Sequence, residues 1–434
     1  MRILIKGGRI IDPGQSEEAA DLLVEDGIIR EVRAAAAVTD TDEPDADRVI
    51  DVRGYLVMPG LIDTHVHLRE PGQEYKETIA SGCRAAAWGG ITAVCCMPNT
   101  DPVNDNAGVT EFIRKKAEEA GMARVYPAAA ISRGLQGNDL SEFGELKAAG
   151  AVAVTDDGMP VMDAQLMRRA LEYARGFGMT VMTHSEDLAL SGSGVMNEGL
   201  VSTRLGLSGI PNCSESVMVT RDIALCALTR SKLYIAHVST RESVEAIRRA
   251  KEQGLPVTAE TAPHYFTLTD EDVGEYDTHA KMNPPLRSRE DQEAIRQGLA
   301  DGTIDAIATD HAPHSAIEKD VEFDQAANGI IGLETSLPLS LGLVREGVLT
   351  LSQLVERMSL APAGILGLER GIRPGKPADI TVIDPDTAYR VDARNFQSLS
   401  RNCPFDGWEV QGRAVLTMVA GNVVYEYSQT IRQA

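Results

Sequence analysis

Eight short apolar runs recur through the middle of the chain, and stretches with helical periodicity stand between most of them. The runs are 60–67 (GLIDTHVH), 91–98 (ITAVCCMP), 124–131 (RVYPAAAI), 151–157 (AVAVTDD), 180–184 (TVMTH), 232–239 (KLYIAHVS), 256–261 (PVTAET) and 304–310 (IDAIATD). The helical stretches include AGVTEFIRKKAEEAG from residue 107, DAQLMRRALEYARGFG from 163 and RESVEAIRRAKEQG from 241. Near-continuous apolar strands that alternate with amphipathic helices belong to a parallel sheet covered on both faces. Eight such repeats over about 300 residues match an α/β fold of the (β/α)8, TIM-like barrel type. An open doubly wound sheet has the same local pattern, because periodicity does not report closure. Both ends of the chain read differently. Residues 1–55 and the region from about 370 alternate β-like runs with Pro/Gly turns, as in ILIKGGRI, ADITVIDP and RAVLTMVAGNVVYEY. The expected organisation is a small β-sandwich domain built from residues 1–57 and 366–434, flanking a barrel over 58–365. The acidic stretch Thr39–Asp47 reads as an exposed loop, and low complexity is confined to Ala34–Ala37.

Composition bounds the partners. With 42 Lys and Arg against 64 Asp and Glu, the 434-residue chain carries a net charge of −22. Such a field repels nucleic acid and anionic membranes, so neither is expected as a partner. The opening MRILIKGG has too short an apolar run for a signal peptide, and no stretch reaches the roughly 18 apolar residues of a membrane span. The six cysteines are scattered without CxxC spacing, which fits free thiols in a reducing cytoplasm.

Chemistry is carried by the histidines. The chain has eight, and four of them fall at the ends of predicted strands: His65 and His67 on the first, His184 on the fifth and His237 on the sixth. Residues i and i+2 of a strand share a face, so His65 and His67 can address one atom. Asp156 and Asp157 end the fourth strand and Asp310 the eighth. In a barrel the C-terminal strand ends converge on one mouth. Nitrogen and oxygen donors there, without cysteine, suit zinc or a neighbouring first-row divalent ion.

The segments Asp63-Thr-His-Val-His-Leu-Arg-Glu-Pro-Gly72 and Ala308-Thr-Asp-His-Ala-Pro-His-Ser-Ala-Ile-Glu-Lys319 resemble the two motif regions of dihydroorotase, in the amidohydrolase superfamily. The likeness runs from Met58-Pro-Gly-Leu-Ile-Asp to Asn402-Cys-Pro-Phe-Asp-Gly-Trp408 and Gly412-Arg-Ala-Val-Leu-Thr417. It implies two zinc ions per subunit, one on His65 and His67 and the other on His184 and His237, with Asp310 as a metal ligand. Many superfamily members bridge the metals with a carboxylated lysine from strand 4; this chain has Thr155-Asp-Asp-Gly158 there, like the bacterial long-chain enzymes with an aspartate bridge. Strand alternation leaves Asp156 and Asp157 open, and the family pattern places the bridge on Asp157, with Asp156 as a supporting acid. For the substrate, the resemblance implies contacts from His67, Arg69, Asn99, His314, Asn283 and the backbone at Asn328-Gly329. His264 and His311 are read as structural, and His279 is left unassigned.

The implied reaction is reversible closure of N-carbamoyl-L-aspartate to L-dihydroorotate plus water, in the de novo synthesis of UMP. A metal-bridging hydroxide is the nucleophile for ring opening, and Asp310 is general base, then acid. Closure takes up a proton, so alkaline conditions favour opening. The resemblance leaves room for a homodimer and for association with an aspartate transcarbamoylase. Two alternatives stand beside it: a hydantoinase- or allantoinase-like cyclic amidase, which ordinarily carries the bridging lysine and needs no carboxylate clamp, and a metal-free structural paralogue within a transcarbamoylase assembly. The polar segment 314–329 is long enough for a lid, though length and polarity establish no motion.

Overall fold

The computed structural model describes residues 1–14, 17–34 and 46–427, with the backbone of 432–433. Most of the stretch Thr39–Asp47, and Ala35–Ala37, lie outside the described residues. Eight parallel strands form one sheet in chain order: β1 (Leu61–Val66), β2 (Ile91–Cys96), β3 (Arg124–Ala129), β4 (Ala153–Thr155), β5 (Thr180–Thr183), β6 (Leu233–Ile235), β7 (Val257–Thr261) and β8 (Ala306–Ile307). All eight predicted runs are strands, each shorter than its run. His184, His237 and Asp310 consequently sit just beyond β5, β6 and β8 rather than on them.

Closure comes from the segment after β8. Val66 bridges to His311 in parallel, the His67 amide donates to the His311 carbonyl at 2.8 Å, and the Thr309 amide and hydroxyl donate to Asp63. Alternation along the strands then sorts side chains into two cores. Val94, Cys96, Val154, Val181, Leu233 and Ile235 pack outward among the helices. Ile62, Ala93, Cys95, Ala128, Ala153, Met182 and Tyr234 form a separate cluster, which Ala363 and Leu366 of the helix Ala361–Leu366 join. Small residues dominate that second cluster because the interior of an eight-stranded barrel is only wide enough to be filled by side chains. The covering helices start where polar side chains cap them: Asp163 accepts from the Leu166 amide and Thr240 from the Ser243 amide.

Strands from the two chain ends join in one mixed sheet of nine strands. Its hub is Arg2–Ile10, which pairs antiparallel with Ala19–Glu25 and in parallel with both Arg48–Asp51 and Leu56–Pro59. Leu56–Pro59 pairs in turn with Ile380–Ile383, so hydrogen bonding ties the termini directly. All nine strands share one branched hydrogen-bonded sheet, the small β domain expected from both chain ends, with a core of its own that includes Ile3, Ile5, Leu22, Ile50, Val382 and Met418. Buried Asp379 fastens it to the barrel, holding Arg124 at the start of β3 and Arg370. No helix among the described residues is long and apolar enough to cross a membrane.

Candidate active site

At the end of β1 the pairing with β2 slips between Asp63 and Val66. Consecutive residues of a regular strand face opposite ways. Here Thr64 and His65 both reach Glu260 of β7, His65 through Nδ1 at 2.7 Å. The irregularity therefore turns His65 into the barrel beside His67, the re-aiming that bulges provide near active sites.

Asp157 is the common neighbour of all four histidines. Its Oδ1 lies 3.3 Å from His65 Nε2, 3.6 Å from His237 Nε2 and 3.7 Å from His184 Nδ1, while Oδ2 is 3.5 Å from His67 Nε2. Asp156 turns the other way and accepts from the Ser132 amide at 2.9 Å and from its hydroxyl. Of the two aspartates, the turn after β4 thus aims Asp157 at the histidines and Asp156 away from them. Asp310 completes the cluster, 3.0 Å from His67 Nε2 and 3.5 Å from His65 Nε2. Both His237 and Asp310 have positive φ, at 36° and 48°, as does Arg69 at 60°. Backbone of that kind persists only where surrounding contacts enforce it, and it gathers at functional sites.

These residues suit divalent metal. The triads His65–Asp157–His237 and His65–His67–Asp310 each bring three ligand atoms within 4.8 Å of one another. His65 Nε2 is buried without a hydrogen-bond partner and faces two carboxylates, while its Nδ1–H is committed to Glu260. That tautomer leaves the Nε2 lone pair for a metal. His184 Nδ1 and His237 Nε2 converge to 2.8 Å, with His184 Nε2 held by Glu186 at 3.1 Å. Burial lowers the basicity of His65 and His184, but Asp157 with Asp310 and Glu260 raises the first well above its ordinary value, and Asp157 with Glu186 raises the second to about 10. Burial pushes Asp157 and Asp310 up; His65 and the neighbouring histidines outweigh it and hold both carboxylates below their ordinary range. Such a cluster of imidazoles and carboxylates suits a cation, and metal binding to it would release protons.

Residues 54–243 match a family profile described as dihydro-orotase-like, and 225–425 one described as the amidohydrolase family. The dihydroorotase of Desulforapulum autotrophicum is 60% identical over 426 residues, spanning 98% of this chain and 99% of its own. The chain belongs to the dihydroorotase family. The dihydroorotase of Geobacter metallireducens is 57% identical over 428 residues, spanning 98% of this chain and 100% of its own. Among solved structures, the L-hydantoinase (dihydropyrimidinase) from Arthrobacter aurescens is similar with a TM-score of 0.87 and 29% identity, over 98% of this chain and 96% of that one. The dihydropyrimidinase from Brevibacillus agri shares the fold at a TM-score of 0.83 and 23% identity, over 98% and 95%. As a member of the dihydroorotase family, the chain is a metal-dependent amidohydrolase.

In this dihydroorotase-family chain the residues expected against substrate ring the cluster, each with a partner of its own. Arg69 is buried and donates from Nε to the Pro313 carbonyl at 3.2 Å, with Nη2 3.5 Å from His314 Nε2. His314 gives its Nε2 hydrogen to the Asn328 carbonyl at 2.8 Å; burial beside Arg69, Lys76 and Lys319 lowers its pKa to about 3, so the ring is neutral. Asn99 Oδ1 accepts from His67 Nδ1 at 2.8 Å, and Asn283 Nδ2 donates to Glu186 at 2.9 Å. Asn99 and Asn283 therefore also brace the histidine side of the site. His311 donates to buried Glu77 and accepts from the Gly332 amide, the structural role expected of it. His264 is buried, its pKa lowered by that burial to about 4. Glu260, Glu186 and Glu77 escaped the sequence reading. Glu260 had a signal: it is the acidic residue of an otherwise apolar or hydroxyl-bearing run, on one of the three strands (second, third and seventh) to which no metal ligand was assigned.

Proposed function

We propose that this chain interconverts N-carbamoyl-L-aspartate and L-dihydroorotate. The observation that carries this reading is Arg69, a residue only 7% exposed whose guanidinium, among the described residues, has no carboxylate within ion-pair distance. A buried cation without a carboxylate in direct contact is costly. Both partners of the reaction carry a carboxylate outside the reacting amide, and a guanidinium can bind it bidentately. A hydantoin ring has no such group.

The donor set of imidazoles and carboxylates without thiolate favours zinc, two ions per subunit. His65, His67 and Asp310 would hold one ion and His184 with His237 the other, with Asp157 reaching both. When bound, the ions would supply a polarised amide carbonyl and a water acidified enough to attack near neutral pH. Arg69, His314 and Asn99 bind the free carboxylate, and His67 lines the same side. Asn283 and the backbone at Asn328-Gly329 contact the ring amide groups. In ring opening, the Asp310 carboxylate accepts the proton of the attacking water and delivers it to the ring nitrogen as the carbon–nitrogen bond breaks. Closure runs these proton movements backwards. A cytoplasmic setting is in keeping with six cysteines that are all free.

The test is turnover of dihydroorotate, hydantoin and allantoin by purified protein of known metal content. Dihydroorotate is expected to be the substrate, and turnover of hydantoin without dihydroorotate overturns the reading. Arg69→Met is expected to raise KM far more than it lowers kcat. Asp310→Asn is expected to lower kcat by a factor on the order of a hundred or more.

A further inference from the structure

Lys319 ends the four-residue helix Ala316–Lys319 and is buried at 3% exposure. Among the described residues no carboxylate lies within ion-pair distance of it. Its Nζ donates instead to three main-chain carbonyls, those of Ala327 at 2.8 Å, Gly329 at 3.1 Å and Lys281 at 3.2 Å. Burial lowers the pKa of Lys319 to about 7; in the protonated form its ammonium has three hydrogens to give and no acceptor, so donors and acceptors match in number.

The three carbonyls belong to two segments. Ala327 and Gly329 flank Asn328, and Lys281 stands two residues before Asn283. The segments also meet through the backbone, where the Gly329 amide donates to the Lys281 carbonyl at 3.0 Å. The Gly329 carbonyl receives a further bond from Asn402 Nδ2 at 3.0 Å. Gly329 has φ of +128°, and a Cβ there would lie 2.6 Å from the Ala312 Cβ. Only glycine fits this turn, and the buried ammonium closes it.

We propose that Lys319 is a positioning residue for the amide side of the substrate pocket, its ammonium clamping the Asn328-Gly329 turn onto the Lys281–Asn283 segment so that both meet the ring at fixed spacing. The proposal rests on the dihydroorotase substrate reading above. An apolar side chain of similar length fills the volume but leaves three carbonyls without that donor, a loss that falls on geometry rather than on proton transfer. The segment 314–329 accordingly acts as a fixed wall. Lys76, which pairs with Glu318 at 2.7 Å, fastens its other side to the loop after β1.

Lys319→Met is the test, read by steady-state kinetics, metal content, and hydrogen exchange over residues 326–331 without substrate. KM for L-dihydroorotate is expected to rise about tenfold, with kcat within about threefold and exchange around Gly329 faster. Metal content is expected to equal that of the parent. Unchanged KM, or a fall in kcat at unchanged KM, overturns the proposal, as does unchanged exchange. If Lys319→Met does not fold, Lys319→Gln, which keeps two N–H donors, decides by the same readouts. Failure of the parent to turn over dihydroorotate overturns the substrate reading instead, and the exchange measurement still tests the clamp.

Discussion

Glu260 receives the Nδ1 hydrogen of His65 and the hydroxyls of Thr64 and Tyr234, all from within the barrel. A glutamine in its place has one oxygen where the carboxylate has two, and must aim an N–H₂ at a group that already donates. Glu260→Gln is therefore expected to weaken metal binding about 10- to 100-fold, the usual cost of losing the group that orients a metal histidine. Metal content after dialysis against a graded chelator measures it, and parental retention would contradict the role. The candidate ligands were legible because four of eight histidines fall at the ends of predicted strands, which a barrel brings to one mouth. The orienting groups were not. Glu260 acts on His65 from 195 residues away and Asn99 on His67 from 32 residues away, and such pairings follow from assembly of the barrel, which local pattern does not contain.

On the helix Cys213–Thr229, Asp222 is buried and paired with Arg221 at 2.8 Å. Burial raises its pKa to about 6 against the opposing pull of Arg221. A carboxyl whose pKa is higher folded than unfolded binds an extra proton in the folded state, so its stabilising contribution is complete below its ordinary range and is lost as pH rises through about 6. Asp222→Asn removes that titration. The stability of the variant relative to the parent is expected to rise between about pH 4 and pH 7, and urea unfolding at both pH values checks it. A constant difference would mean that Asp222 titrates normally. Elements of this kind were legible in outline: the helices from 107, 163 and 241 announce themselves by period and cap. Two features were not. The slip at Asp63–Val66 turns on a single residue of register, and the fork at Arg2–Ile10 requires one strand to serve three partners.

Over the whole molecule, the net charge of −22 opposes an anionic substrate at a distance, while Arg69 and bound cations attract it close by. Salt of about 0.1 M screens beyond roughly 10 Å, which removes the distant term first. The kcat/KM for dihydroorotate is thus expected to rise as ionic strength increases from about 0.01 to 0.1 M, and a monotonic fall would place the dominant field at the mouth instead.

The seam between β1 and the segment after β8 also sets a timetable. Asp310 follows its neighbour His67 by 243 residues. At about 5–20 residues per second of synthesis, the first pair of histidines waits tens of seconds for the last ligand to be made. Until Asp310 has been made, the chain can offer an ion no more than a partial set of donors, on a sheet whose edges have not met. Loading of the full donor set therefore waits for closure of the barrel and follows the ions available late in synthesis or after it.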